Sequence, residues 1–291
     1  MIDPPVTSHA RITARIRGCF PYLCGLIFVA AFFVTLCETE ARPIAVRFLE
    51  GLSHGFLLVR SSAGEIIGEG ELIQVMKESG VTESRLVFRF KDGSLHDERV
   101  AFSQQRVFTL IRYQLVQRGP SFPEQIDVTV DRATSKYEVR SRMRENDNET
   151  VLAGEIDLPK DAYNGMIVTT LLNLPKASSE SVQVLAFTPK PMAIPLELSF
   201  VGEQVIWVGE QSRKGLQYTF KPDIGPIKKF LGKVLGKLPA DFHYDCLILD
   251  DDVPSFVRFQ GPLQLRGPIL SIELTSPQAA GTPGDRKHVS K

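Results

Sequence analysis

The sequence has no surplus of either charge. Lys and Arg number 34, Asp and Glu number 34, and the formal net charge is zero. A nucleic-acid binder needs a basic excess to neutralise phosphates, so the balance argues against that class of partner. Cysteine is scarce as well. Cys19, Cys24 and Cys37 share one apolar stretch near the start, and beyond it only Cys246 remains. If that stretch is removed, no internal disulfide can form, which excludes a disulfide-dense secreted module. Residues 42–291 lack the His-x-x-x-His, Glu-x-x-His and Cys-x-x-Cys spacings that would gather zinc ligands. No glycine-rich phosphate loop follows a strand and opens a helix. The residues therefore point to no catalytic set, no metal and no cofactor. The 43% hydrophobic and 23% charged content is that of an ordinary globular protein.

The strongest signal present is an address. Arg11, Arg15 and Arg17 precede a run from Gly18 to Cys37 without a charged residue, and Glu38-Thr39-Glu40-Ala41 follows. A positive start, an apolar run and a small-residue site predict a secretory signal over residues 1–41, cleaved after Ala41. The arginines stay on the cytoplasmic side while the apolar run enters the bilayer. Two alternatives remain open: a retained anchor, since the run approaches the ~20 residues that span a bilayer, and a lipoprotein signal ending at Cys37. In each case residues 42–291 are expected outside the cytoplasm. Membrane contact is then expected only through the N-terminal segment or at the periphery.

Past that segment, apolar and polar residues alternate with the period of a strand that has one buried face. Leu86, Phe88 and Phe90 alternate with arginines and Lys91. The same pattern holds for Ile126, Val128 and Val130, for Tyr137 and Val139, for Leu196, Leu198 and Phe200, for Leu216, Tyr218 and Phe220, and for Leu270, Ile272 and Leu274. Asp92-Gly93, Gly119-Pro120, Gly202-Glu203, Asp250 to Pro254 and Gly267-Pro268 read as turns between strands. Short connections imply antiparallel pairing. Two stretches have helical period. One runs from Tyr163 to Leu174, with Asp161 as N-cap and Pro175 as stop. The other runs from Pro226 to Leu238, with an apolar stripe and Lys228, Lys229, Lys233 and Lys237 off it. The predicted fold is mainly β: a long curved antiparallel sheet, a half-barrel or incompletely closed barrel, with two short helices. Residues 42–275 would form one β-rich domain with a possible subdivision near 158–180, and 276–291 a disordered tail.

Asp157-Leu158-Pro159-Lys160-Asp161-Ala162-Tyr163 and Leu249-Asp250-Asp251-Asp252-Val253-Pro254-Ser255-Phe256-Val257-Arg258 resemble two stretches of a bacterial family of exported domains of unknown function. Such a resemblance implies a curved meander in the cell envelope or periplasm, distantly similar to the half-barrels of lipoprotein carriers, which hold acyl chains in the concave face. It brings no catalytic residues.

Three functions follow as expectations. The first is a non-catalytic envelope protein that binds a lipid or other hydrophobic ligand, lined by Phe88, Phe90, Val128, Tyr218 and Phe220. The second is a structural or protein-interaction module with no small ligand, meeting an envelope protein or a membrane surface through sheet edges or through Lys228, Lys229, Phe230, Lys233 and Lys237. The third is a hydrolase with an unrecognised site, for which His243 and Asp245 are the nearest convergent pair. Cys246 reads as a buried thiol, and Asp250 to Asp252 as an acidic turn rather than a calcium loop.

Overall fold

A computed structural model describes residues 43–143, 148–187, 190–223, 242–264 and 267–275. The described strands are β1 (Ser53–Ser61), β2 (Ile66–Met76), β3 (Val81–Phe90), β4 (Leu95–Gln104), β5 (Phe108–Arg118), β6 (Gln125–Asp131), β7 (Lys136–Arg142) and β8 (Thr150–Glu155). One helix, α1 (Ile167–Asn173), separates them from β9 (Glu180–Ala186), β10 (Met192–Val208), β11 (Gln211–Pro222), β12 (Tyr244–Leu249), β13 (Ser255–Gly261) and β14 (Leu270–Thr275). All fourteen strands form one antiparallel sheet in the order β8-β7-β6-β5-β4-β3-β2-β1-β14-β13-β12-β11-β10-β9. Two meanders therefore meet where β1 pairs with β14, and β8 and β9 are left as edges.

The sheet curls back on itself without closing. β5 and β9 stand ten places apart in that order, about 48 Å in a flat sheet. Yet the ring of Tyr113 in β5 stacks on Phe187, directly after β9, at 5.6 Å and 9°. A sheet this wide must curl or split, and β-bulges at Val59/Arg60, Ala101/Phe102, Phe200/Gly202 and Leu247/Ile248 supply local bends.

The alternation seen in the sequence sets which face is inside. Phe88, Val128, Leu198 and Tyr218 point inward and are buried, while Arg85, Arg99, Asp127 and Glu138 lie on the outer face. On that face Asp97 accepts two bonds from Arg85 (3.0 and 2.7 Å) and two from Arg99 (3.2 and 3.1 Å). Burial raises the Asp97 carboxyl, but the two guanidinium forks outweigh it and hold it down at about 2. Arg112 pairs with Asp131, and Arg118 with Asp127. Hydrocarbon does not cover such a charged face. Inside, Gly68 and Gly70 lie opposite Phe90 and Phe88. A Cβ at Gly70 would meet the Phe88 ring at 2.4 Å and the Val87 carbonyl at 2.6 Å, so glycine is what lets the ring lie flat on β2.

The segment between β8 and β9 fills the interior. Here the sequence expectation needs correction. The helix starts at Ile167, with Met166 at its N-cap, and not at Tyr163. Asp161 caps nothing: residues 161–163 form a parallel bridge with Gln183 on the β9 edge, through Gln183 N–H to Asp161 C=O at 3.0 Å and Tyr163 N–H to Gln183 C=O at 2.9 Å. Pairing an open edge outweighs starting a short helix four residues earlier, and Gly165 at φ +67° turns the chain into α1. The expected helix at 226–238 lies outside the described residues, as do the expected signal segment and tail. Among the described residues no helix is long and apolar enough to cross a membrane.

Candidate functional site

Each residue expected to line a ligand cavity lies in packed core. Phe88, Val128 and Tyr218 are 0 to 1% exposed, and Phe90 and Phe220 are buried as well. Phe88 and Phe90 pack with Leu57, Val59, Phe122 and Ile272. Val128, Tyr218 and Phe220 share the larger cluster with Tyr163, Met166 and Leu171 from the interior segment. The side chains that make the sheet read as amphipathic are thus buried by more than one part of the chain: Tyr163, Met166 and Leu171 pack with Val128, Tyr218 and Phe220, and Phe122 and Leu263 pack with Phe88 and Phe90. A cavity beside Phe90 and Phe122, near Leu263, has a volume of about 20 Å³, room for a single water. The second candidate set, Lys228, Lys229, Phe230, Lys233 and Lys237, lies outside the described residues.

Side-chain clips fasten the interior segment. The Asn164 amide donates to the Leu185 carbonyl (3.0 Å) and accepts from its N–H (2.7 Å), mimicking a strand neighbour. The Arg132 guanidinium donates to the carbonyls of Leu110, Leu158 and Pro159 at 2.5, 2.8 and 2.8 Å. The Tyr113 hydroxyl donates to Glu98 Oε1 at 2.8 Å. Burial raises the Glu98 carboxyl, against the hydrogen bond from Tyr113. The chain before β1 is laced in by the same device: Asn173 Oδ1 accepts from the N–H groups of Arg47 (2.8 Å) and Phe48 (2.7 Å), and the Gln104 amide pairs with both backbone groups of Glu50.

The titratable candidates do not converge. Nε2 of His243 lies 3.6 Å from Asp245 on the outer face, both partly exposed. Cys246, the next residue along β12, points inward. Its thiol is buried, and burial pushes it far above the ordinary thiol range, which is the opposite of a poised nucleophile. Asp250 is held by Lys176 at 2.6 Å and Lys214 at 3.6 Å. Among the described residues no group of three His, Cys, Asp or Glu could hold a metal. His96 is buried between Phe88 and Phe122. Its Nδ1 receives the Gln117 amide at 3.0 Å and its Nε2 has no partner; burial lowers its pKa to about 4, against the pull of Asp97.

Contrary to the expectation that no Gly-x-Ser-x-Gly is present, Gly51-Leu52-Ser53-His54-Gly55 has that form of a nucleophile elbow. The elbow chemistry needs a sharp strand-to-helix turn. Here Ser53 opens β1 and the chain runs on as strand. Ser53 and His54 are neighbours in that strand, so their side chains point to opposite faces. His54 instead lies 3.7 Å from Glu71.

Four exposed large apolar side chains share one arm, which the expected turn at Gly202-Glu203 divides in two. Gly202-Glu203 is not a turn. β10 runs through it, with a bulge at Phe200/Gly202, and turns back at Gly209, whose φ is +62°. β9 pairs with β10 only to Leu198, and β12 pairs with β11 only from Gly215. From Gly202 to Arg213 the two strands therefore pair, among the described residues, only with each other, as a ribbon extending past the sheet. The bulge shifts the alternation by one residue, so that Val205 and Trp207 continue the inner face beyond its rim. Val201, Val205, Trp207 and Val208 are 59%, 69%, 71% and 55% exposed. Lys214 pairs with Glu203 at the base of the arm. The sequence signal was available: Val205-Ile206-Trp207-Val208 is an apolar run holding the chain's single tryptophan.

Compared with protein-family models, with curated proteins and with solved structures, the chain finds no match in any of the three.

Proposed function

We propose that the chain is an exported, non-catalytic β-rich protein of the bacterial cell envelope that works as an interaction module, meeting a macromolecular partner through the β10–β11 arm. One observation carries the reading: the inner apolar face is packed, by residues 158–174 over one cluster and by Phe122 over the other, while Trp207 and its valine neighbours are exposed on a ribbon past the rim. Exposed apolar side chains gathered on one projecting element mark contact sites, and tryptophan is among the residues enriched as anchors. The lipid-carrier reading would need the volume that Tyr163, Met166 and Leu171 occupy. The export reading rests on the N-terminal sequence pattern.

Site-specific photocrosslinking in cells tests the proposal. A photoreactive residue at Val205 or Trp207 of the full chain is expected to give discrete adducts of higher mass, and one at Thr129 on the far outer face is not. Absence of adducts from both arm positions would overturn it.

A further inference from the structure

We infer that the partner of the arm is a second copy of this chain, joined edge to edge by antiparallel pairing of β10 with its counterpart; this rests on the interaction reading above. From Val201 to Val208 the outer edge of β10 has no strand neighbour among the described residues. An unpaired strand edge is a template for another strand, and proteins that keep such edges single protect them with lysine, proline or a short span. None of these guards Val201–Val208. Its one charge, Glu203, is already paired with Lys214 on the same arm.

The distribution of apolar residues favours a strand as neighbour over a flat surface. Val205 and Trp207 lie on one face of the ribbon, Ile206 and Val208 on the other, and Val201 sits at the bulge. A pairing strand touches both faces of its neighbour, whereas a docked surface touches one. On the β10 side Glu203 and Gln204 lie near the base of the arm, while Gln211, Ser212, Arg213 and Lys214 make the β11 side polar along its length. The turn residue Glu210 at the very tip opposes insertion into a bilayer.

Self-pairing is what this composition suits. A two-fold contact sets a surface against itself, so any net charge would repel. Here the β10 edge is apolar with its single carboxylate neutralised. The four exposed side chains, divided between the two faces of the ribbon, together show roughly 450 Å² of apolar surface, about the middle of the range for a monomer's largest patch. Two copies together approach ~1,000 Å², about the threshold for a specific interface, so the dimer is expected to be concentration-dependent.

The single tryptophan makes the test direct. Sedimentation velocity of the full chain in detergent is expected to show a monomer–dimer equilibrium. Over the same concentration range the Trp207 emission should shift to the blue as the indole leaves water. Val205→Lys, placed on an exposed position that leaves the core untouched, is expected to sediment as a monomer with unchanged circular dichroism and a red emission at all concentrations. A wild-type monomer throughout, or a dimer that Val205→Lys leaves intact, would overturn the inference. Crosslinks from the arm to a different polypeptide, with a monomeric chain, would overturn the second copy and leave the interaction reading standing. Absence of arm crosslinks would remove both.

Discussion

The hydroxyl of Tyr163 accepts a hydrogen bond from the Ile44 N–H at 2.8 Å, joining the chain before β1 to the segment that fills the sheet. The same hydroxyl donates to the Phe108 carbonyl at 3.3 Å. One buried side chain thus satisfies two backbone groups of distant parts of the chain. Burial raises its pKa to about 12, so it stays a neutral donor.

Tyr163→Phe keeps the ring and removes the oxygen, leaving the Ile44 N–H and the Phe108 carbonyl unpaired in the core. The expected loss is about 1–3 kcal/mol in urea unfolding. An unchanged midpoint would mean that Ile44 is not tied down as described.

Leu171→Ala in α1 tests whether the interior segment is a packed part of the core. Leu171 is 1% exposed. The truncation is expected to cost about 2–5 kcal/mol, the range for a buried leucine. A cost near zero in thermal and urea unfolding would mean that the segment lies loosely and could vacate the interior.

Gly70→Ala sets a methyl group against the Phe88 ring and the Val87 carbonyl. Because the clash involves backbone, the ring cannot relieve it by rotating. A destabilisation of about 1–3 kcal/mol is expected, measured by the same unfolding curves. Gly202→Ala, where a Cβ meets nothing within 4 Å, is the control and should be close to neutral.

His96 predicts a pH dependence with a definite sign. Its folded pKa, about 4, lies below the ordinary 6.5 because burial disfavours the cation. Above pH 6.5 the ring is neutral in both states and adds no pH dependence. As pH falls from 6.5 to 4 the unfolded chain takes up the proton and the folded one does not, so stability is lost at about 1.4 kcal/mol per pH unit. The buried carboxyls of Glu50 and Glu98 move the other way, since burial raises their pKa values. The stability of wild type relative to His96→Gln isolates the histidine, and that difference should decline across the window. A flat difference would show that the ring is not held neutral.

The sheet was legible in the sequence because one-sided burial imposes period two, and Phe88, Val128, Tyr218 and Ile272 all fall on the inner face that the alternation assigned. The turn at Asp92-Gly93 was equally legible: the Asp92 carboxylate accepts from the Ser94 N–H at 2.9 Å and Gly93 takes φ +83°. What periodicity does not encode is what lies on the inner face. Whether Val128 and Tyr218 line a hollow or a filled core depends on where residues 158–174 return, and that return is fixed by long-range clips such as Asn164 to Leu185. The arm was misread for a related reason. A Gly-Glu pair signals a turn locally, but in β10 it follows a bulge, and only the continued pairing of Gln204 to Val208 with β11 distinguishes the two.

Native mass spectrometry of the full chain isolated from a bacterial envelope, with solvent extraction and lipid analysis of the same sample, tests the filled interior most directly. The account predicts the mass of polypeptide alone, as one copy or two, unchanged after incubation with envelope lipids. A lipid retained in fixed proportion to the chain, and lost on extraction, would contradict it.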